Sequence, residues 1–202
     1  MKLYGAPNPA PNPRRVRIYL AEKGIDLKEA PVDIRAREQK GPEHRARNPA
    51  EQVPTLVLDN ERSISESVSI CRYLEALYPE SPLFGQGAYE VAEVDQWIRR
   101  VEFIAMMPVA NFWRHAHPFT AGLLTQFKDF GESNREAAAQ AMRWFDAQLE
   151  DREHLAGGYS MADICLLTTV DFAKWIGLPL PDDCANLMRW HEAVSSRPSA
   201  RA

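Results

Sequence analysis

The chain carries NPAEQVPTL at residues 48–56 and ISESVSICRYL at residues 64–74. The run from Val53 to Leu58 predicts a strand that begins at a proline, a position at which strands tolerate proline. Polar residues 59–61 predict a turn, and residues 62–64 a short partner strand. Ser65-Glu66-Ser67 then predicts the start of a helix, because apolar residues follow at helical spacing.

Upstream of these segments, residues 2–4 predict a short strand that ends at a proline-rich loop. A helix follows, for which we expect Asn12 as the N-cap, Pro13 as the first helical residue and Gly24 as the end.

Residues 30–33 predict a second strand, and residues 35–48 a polar loop with a short helix. The resulting order, β-α-β-α-β-β-α in about 80 residues, is typical of a compact α/β domain.

The segment from Pro79 to Gly85 interrupts this pattern with prolines and glycine. We therefore expect an α/β domain at residues 1–78, a linker at 79–87 and an all-helical domain at 88–202. Its predicted helices cover residues 88–117 with a kink at Pro108, residues 133–150, a segment starting at Ser160, and residues 183–196. Ser160 and Asp163 have the spacing of a capping box.

Composition narrows the classes of function. The net charge of −4 disfavours nucleic-acid binding, and no apolar run is long enough to span a bilayer, so we expect a cytoplasmic protein. The three cysteines are widely spaced and the five histidines lack metal-ligand spacing, which favours buried thiols and no metal site.

The two segments at residues 48–56 and 64–74 together resemble the glutathione transferase superfamily. The resemblance extends to Leu3-Tyr4, to the helix segment 14–17 and to residues 159–163, and so covers nearly the whole chain. It implies a thioredoxin-like N-terminal domain with an all-α C-terminal domain, glutathione as co-substrate and a homodimer.

The resemblance also implies residues that bind glutathione. Val53, which precedes a cis Pro54, offers its main chain to the cysteinyl part, while Glu66 and Ser67 bind the γ-glutamyl end at a helix N-terminus. The alternative is that Ser65 or Ser67 simply caps the helix. Contacts to the glycine end of glutathione are expected from Gln39, Lys40 and Gln52.

The residues at the positions that activate the thiol differ from those of the commoner classes of this family. The Ser or Cys position falls on Ala10, and the Tyr position near Ala6, neither of which donates a hydrogen bond. Pro9-Ala10-Pro11-Asn12 is similar to the PTPN segment of a bacterial class called Nu, in which an Asn contacts the sulfur. Asn12 is therefore the candidate for thiolate stabilisation, aided by the start of its helix; the alternative is a plain N-cap.

The second substrate is expected near Met106, Met107 and Trp113, which are equally ordinary helix-core residues. Two functions remain open. One is an enzyme that conjugates glutathione to an electrophile or uses it to reduce disulfides. The other is a glutathione-binding protein with the same fold and little or no transferase activity, which Ala10 favours.

Overall fold

A computed structural model describes all 202 residues. The chain divides into two compact units. The first comprises residues 1–83 together with residues 198–202, and the second comprises residues 84–197.

The first unit contains a four-stranded sheet of β1 (Lys2–Gly5), β2 (Lys28–Pro31), β3 (Thr55–Val57) and β4 (Ser63–Ser65). The spatial order is β2-β1-β3-β4, with β1 and β2 parallel and the other pairs antiparallel. The β-α-β-α-β-β-α order is thus confirmed, with α1 (Pro11–Lys23), α2 (Pro42–Arg47) and α3 (Ser67–Leu77). β2 lies two residues earlier than predicted and ends at Pro31, which an edge strand tolerates.

The start of α1 differs from the prediction. The N-cap is Ala10 and the first helical residue is Pro11, so Asn12 and Pro13 are the second and third residues of the helix. Two prolines fit in the first turn because N–H groups there have no partner within the helix. The end of α1 is as predicted, with Gly24 at a left-handed φ of 62°.

α1 and α3 pack against each other and enclose a buried apolar core. Glu75 of α3 ties this packing together, because its carboxylate accepts hydrogen bonds from the Tyr19 hydroxyl and from the Leu83 N–H and forms an ion pair with Lys23. Burial and the Glu75 carboxylate raise the pKa of Tyr19. The tail, with a 3₁₀ turn at Pro198–Arg201, contacts α1.

The second unit is helical. Its helices are α4 (Gly87–Arg100), a π-helical segment (Val101–Met106), α5 (Met107–His115), α6 (Lys128–Gln148), α7 (Met161–Trp175) and α8 (Ala185–Ser195). No helix is both long and apolar enough to cross a bilayer.

The irregularity in the first long helical stretch spans the whole π-helical segment instead of a single kink at Pro108. Pro108 has no N–H and its ring crowds the carbonyl four residues back, at Ile104, which lies inside that segment.

Helix α6 begins five residues before the predicted start, and it includes Gly131, a residue that usually weakens a helix. A Cβ at Gly131 would lie 2.6 Å from the carbonyl carbon of His115. The glycine is therefore required for the close approach of α6 to the end of α5.

Asp163 anchors the start of α7, confirming the predicted capping box. Its carboxylate is fully buried and accepts hydrogen bonds from the Ser160 N–H (3.0 Å), the Leu155 N–H (3.1 Å) and the Trp190 indole N–H (3.0 Å). Burial raises the pKa of Asp163, and the Trp190 and Leu155 hydrogen bonds act in the opposite direction. The carboxylate thus joins α7, α8 and the loop before α7.

We expect Asp163→Ala to lower the free energy of unfolding by at least about 3 kcal/mol, because it leaves several buried donors without an acceptor. Ser160→Ala, which removes one capping hydroxyl, should cost about 1 kcal/mol. Urea denaturation followed by circular dichroism measures both. An Asp163→Ala protein as stable as Ser160→Ala would contradict this account of the anchor.

Candidate functional site

The strand register brings the functional segments of the first unit to one edge of the sheet. Tyr4 pairs with Thr55, and Thr55 pairs with Ser65. Adjacent strands lie about 4.8 Å apart. The loop after β1, the residues before β3 and the residues after β4 therefore meet at one end of these strands. We call this end of the sheet the binding edge.

The start of α1 offers one main-chain donor. Ala10 N–H donates to the Pro7 carbonyl (3.2 Å), and Arg14 N–H donates to the Ala10 carbonyl (3.3 Å). Since Pro11 and Pro13 have no N–H, the N–H of Asn12 is the one left pointing out of the helix start. Asn12 is half-buried and no side chain caps the helix.

The guanidinium of Arg14 is directed to the C-terminal tail. Its Nη2 donates to the Ala200 carbonyl at 2.8 Å. Arg17 from the same helix holds the loop after β1, because its guanidinium donates to the Ala6 carbonyl (3.1 Å) and to Asn8 Oδ1 (2.5 Å). These contacts fix the loop from which α1 starts.

The peptide bond between Val53 and Pro54 is cis, as the family resemblance implied. Val53 is half-buried and precedes β3, and its N–H and C=O take no part in the hydrogen bonds of the chain. Both groups of Val53 are therefore available to an extended ligand that pairs with it as a strand would.

The carbonyl of the preceding residue, Gln52, is held from the interior. It accepts hydrogen bonds from His44 Nε2 (2.8 Å) and Asn48 Nδ2 (2.9 Å), and Thr55 Oγ1 lies 3.4 Å away. His44 and Asn48 are both buried. The sequence analysis did not single them out, although their spacing of four residues around the end of α2 was a signal for side chains on one side.

Glu66 and Ser67 lie at the start of α3. Glu66 is the N-cap residue with a φ of 69°, a left-handed conformation that side chains other than glycine adopt at a cost of about 1–3 kcal/mol. Ser67 is the first helical residue and is buried. No side chain caps this helix, so the capping interpretation of Ser65 or Ser67 is wrong, and the first N–H groups of α3 stay open to an anion.

Gln39 and Lys40 lie in a 3₁₀ turn (Glu38–Lys40) between β2 and α2. The chain leaves β2 at the same sheet edge, because β2 runs parallel to β1 and Gly5 pairs with Pro31. Gln39 Oε1 is buried without a hydrogen-bond partner, whereas the side chain of Lys40 is exposed.

Tyr4 has a packing role. The Arg47 guanidinium lies 4.4 Å and the Lys2 ammonium 5.1 Å from the centre of its ring. The ring is thus contacted by two cations.

The three residues assigned to the second substrate all lie in the second unit. Met107 is 48% exposed and Met106 is half-buried. Trp113 belongs to an aromatic cluster, with ring-centre distances of 5.2 Å to Phe119 and 5.4 Å to Trp175. His117 joins the same cluster, and burial lowers its pKa. Trp113 therefore has extensive contacts within its own unit.

The three cysteines, Cys71, Cys165 and Cys184, are buried, as expected, and none forms a disulfide bond. Burial, with Asp146 and Asp183 nearby, raises the pKa of Cys184 to about 11. No group of three or more His, Cys, Asp or Glu side chains has the arrangement of a metal site.

Comparison with known proteins agrees with this architecture, a thioredoxin-like unit followed by a helical unit. Residues 10–77 match the family described as glutathione S-transferase, N-terminal domain, and residues 108–198 match glutathione S-transferase, C-terminal domain. The chain is similar to glutathione S-transferase 2 of Saccharomyces cerevisiae, with 34% identity across 100% of this chain and 88% of the relative.

Solved structures give the same result. The crystal structure of Gtt2 from Saccharomyces cerevisiae superposes with a TM-score of 0.93 at 32% identity, covering 100% of this chain and 99% of the other. A glutathione S-transferase domain-containing protein from Marinobacter aquaeolei VT8 gives a TM-score of 0.92 at 32% identity, covering 98% and 99%. The chain belongs to the glutathione S-transferase family.

We expect none of the three cysteines to react with a thiol reagent such as DTNB in the native protein at pH 8, because all three are buried. In addition, the pKa of Cys184 is raised to about 11, so its thiol stays protonated at this pH. The same titration in urea should count three thiols. A rapidly reacting thiol in the native protein would contradict the buried assignment and would introduce a protein nucleophile.

Proposed function

We propose that this protein binds glutathione at the binding edge, stabilises its thiolate and transfers it to an electrophile. The observation that carries the proposal is the register Tyr4–Thr55–Ser65, which brings unused N–H groups of Asn12, Val53 and the start of α3 to one edge of the sheet. Family membership supports the identity of the ligand.

Each part of glutathione has a counterpart in this assignment. The N–H and C=O of Val53 pair with the cysteinyl main chain. The open N–H groups of α3 and the Ser67 hydroxyl bind the γ-glutamyl carboxylate, where the helix start carries partial positive charge. The Glu66 carboxylate accepts from the α-ammonium group, a charge-assisted hydrogen bond.

The glycine end of glutathione carries a carboxylate, and we assign it to Gln39, Lys40 and the side chain of Gln52. Lys40 supplies a positive charge, while the exposed Gln52 amide supplies a donor. The Gln39 side chain can contribute through its amide N–H₂, since its buried Oε1 is an acceptor and cannot bond a carboxylate.

Asn12 is assigned to the sulfur. Its main-chain N–H points out of the helix start, its side-chain amide adds a second donor, and the helix start contributes positive potential. The two N–H donors of Asn12 and the positive potential of the helix start lower the pKa of a nearby thiol. The resulting thiolate is the nucleophile. Met106, Met107 and Trp113 are assigned to the electrophile through apolar contacts.

A second candidate function is glutathione binding without transferase activity. It is favoured by Ala10, the N-cap of α1, which places no hydroxyl or thiol where the commoner classes have one. For the transferase function, we also propose a homodimeric, cytoplasmic protein with a role in detoxification, by analogy with the family.

The thiol pKa of bound glutathione distinguishes these functions. We expect thiolate absorbance to titrate at least one pH unit below free glutathione, and Asn12→Ala to raise the pKa by about one unit, corresponding to about 1.4 kcal/mol of lost stabilisation. Tyr4→Phe serves as the control: it removes only the hydroxyl and keeps the ring that Arg47 and Lys2 contact, and we expect it to leave the thiol pKa unchanged.

Binding with an unshifted thiol pKa would support the second candidate. Absence of binding would exclude both. A shift in Tyr4→Phe instead of Asn12→Ala would move the sulfur contact to the tyrosine.

Glu66 allows a separate prediction on affinity. Glu66→Gly should weaken glutathione binding at least about tenfold, from the lost charge-assisted hydrogen bond, without lowering stability, since glycine relieves the left-handed backbone. Glu61→Gly is a matched control, because Glu61 also has a positive φ, of 64°, but lies in the β3–β4 turn. Calorimetric titration and thermal melts measure both; equal affinities in the two variants would remove Glu66 from the site.

A further inference from the structure

Two buried side chains, His44 and Asn48, hold the Gln52 carbonyl, which lies next to the Val53 N–H at the binding edge. His44 Nε2 and Asn48 Nδ2 donate to this oxygen at 2.8 and 2.9 Å, and the Thr55 hydroxyl donates to it at the longer distance of 3.4 Å. His44 is 3% exposed and Asn48 is 2% exposed. The oxygen is thus fixed toward the interior of the first unit.

The direction of that oxygen sets the direction of the next N–H. The Gln52 carbonyl and the Val53 N–H belong to one planar peptide unit, which is trans because the cis bonds of the chain are Asn8–Pro9 and Val53–Pro54. In a trans peptide unit the C=O and N–H point in opposite directions. Holding the carbonyl toward His44 and Asn48 therefore aims the Val53 N–H away from them.

The histidine ring is an unusual choice for this interior position. A carbonyl oxygen only accepts, so His44 Nε2 carries the proton. His44 Nδ1 is then buried without a hydrogen-bond partner. A buried polar atom without a partner lowers stability, and an apolar ring of similar shape would avoid that loss. The remaining advantage of the imidazole is the hydrogen bond to Gln52.

We propose that His44 is a positioning residue for glutathione binding: its hydrogen bond to the Gln52 carbonyl holds the Val53 N–H in the direction that pairs with the cysteinyl main chain of glutathione. This inference rests on the proposed function. His44 does not contact the ligand and acts through one peptide plane. Asn48 acts on the same oxygen, so removing His44 weakens the alignment without abolishing it.

Two substitutions separate the hydrogen bond from packing. His44→Phe keeps a ring but cannot donate, and His44→Gln keeps an N–H donor. We expect His44→Phe to raise KM for glutathione about tenfold, equivalent to about 1.4 kcal/mol, with kcat and the thiol pKa at saturating glutathione unchanged. Its melting temperature should be equal to or higher than that of the wild type. His44→Gln should restore KM, and Ala46→Gln on the exposed side of α2 is the matched control.

A merely structural role of His44 predicts a different pattern, in which His44→Phe lowers the melting temperature and changes kcat and KM together. An unchanged KM in His44→Phe, with wild-type protein that binds glutathione, would overturn the proposal. So would failure of His44→Gln to restore a KM that His44→Phe had raised.

A measurement without ligand separates this inference from the proposed function. The backbone order parameter of the Val53 amide, measured by NMR in the ligand-free protein, should be lower in His44→Phe than in the wild type, in which we expect the value of about 0.85 of a rigid backbone. An unchanged value overturns the positioning role. A lowered value in a protein whose wild type does not bind glutathione supports the alignment of Val53 and overturns the proposed function.

Discussion

A main-chain N–H that forms no hydrogen bond within a helix or sheet needs another acceptor, such as water or a ligand. Several such N–H groups of the first unit lie at the binding edge. Asn12 supplies one because prolines flank it, Val53 supplies one because it precedes β3, and α3 supplies more because no side chain caps it. Recognition by main-chain groups depends on where the backbone lies. The packing of the first unit therefore matters to binding as much as the side chains at the edge.

Each unit contains an oxygen acceptor that receives several donors from buried side chains or loops. In the first unit it is the neutral carbonyl of Gln52, and in the second it is the carboxylate of Asp163. A carboxylate forms stronger hydrogen bonds and suits a purely structural anchor. A carbonyl is attached to an N–H in the same plane, so fixing it also directs a donor elsewhere.

The sequence contained enough information to predict the order of helices and strands along the first unit, the helical second unit and the capping box. Periodicity and local turn residues determine these features, and both can be read from neighbouring residues. The start of α1 was misplaced because Asn12 is a good cap and Pro13 a good first residue, yet Pro11 is equally acceptable there. The start of α6 was missed because Gly131 weakens a helix locally, and the contact with His115 that requires it is distant in sequence.

The candidate site shows the same division between local and distant information. Val53, Glu66 and Ser67 came from motifs that resemble a family, and the structure supplied the register that brings their segments to one edge. The motifs did not point to His44, because the role proposed for it depends on a hydrogen bond to the carbonyl of Gln52, eight residues further along the chain. Side chains that act through another residue's backbone have no motif of their own.

The first unit consists of two stretches that are separated in the sequence, and this affects how units can be exchanged between related proteins. Its final residues follow the whole helical unit, and they are bound to α1 through Arg14 and Ala200 and through Glu22 and Ser199. A chimera joined at a single point near residue 83 would combine the α1 of one parent with the tail of another. Exchange of the complete unit therefore needs two junctions, one near residue 83 and one near residue 198, so that α1 and the tail come from the same parent.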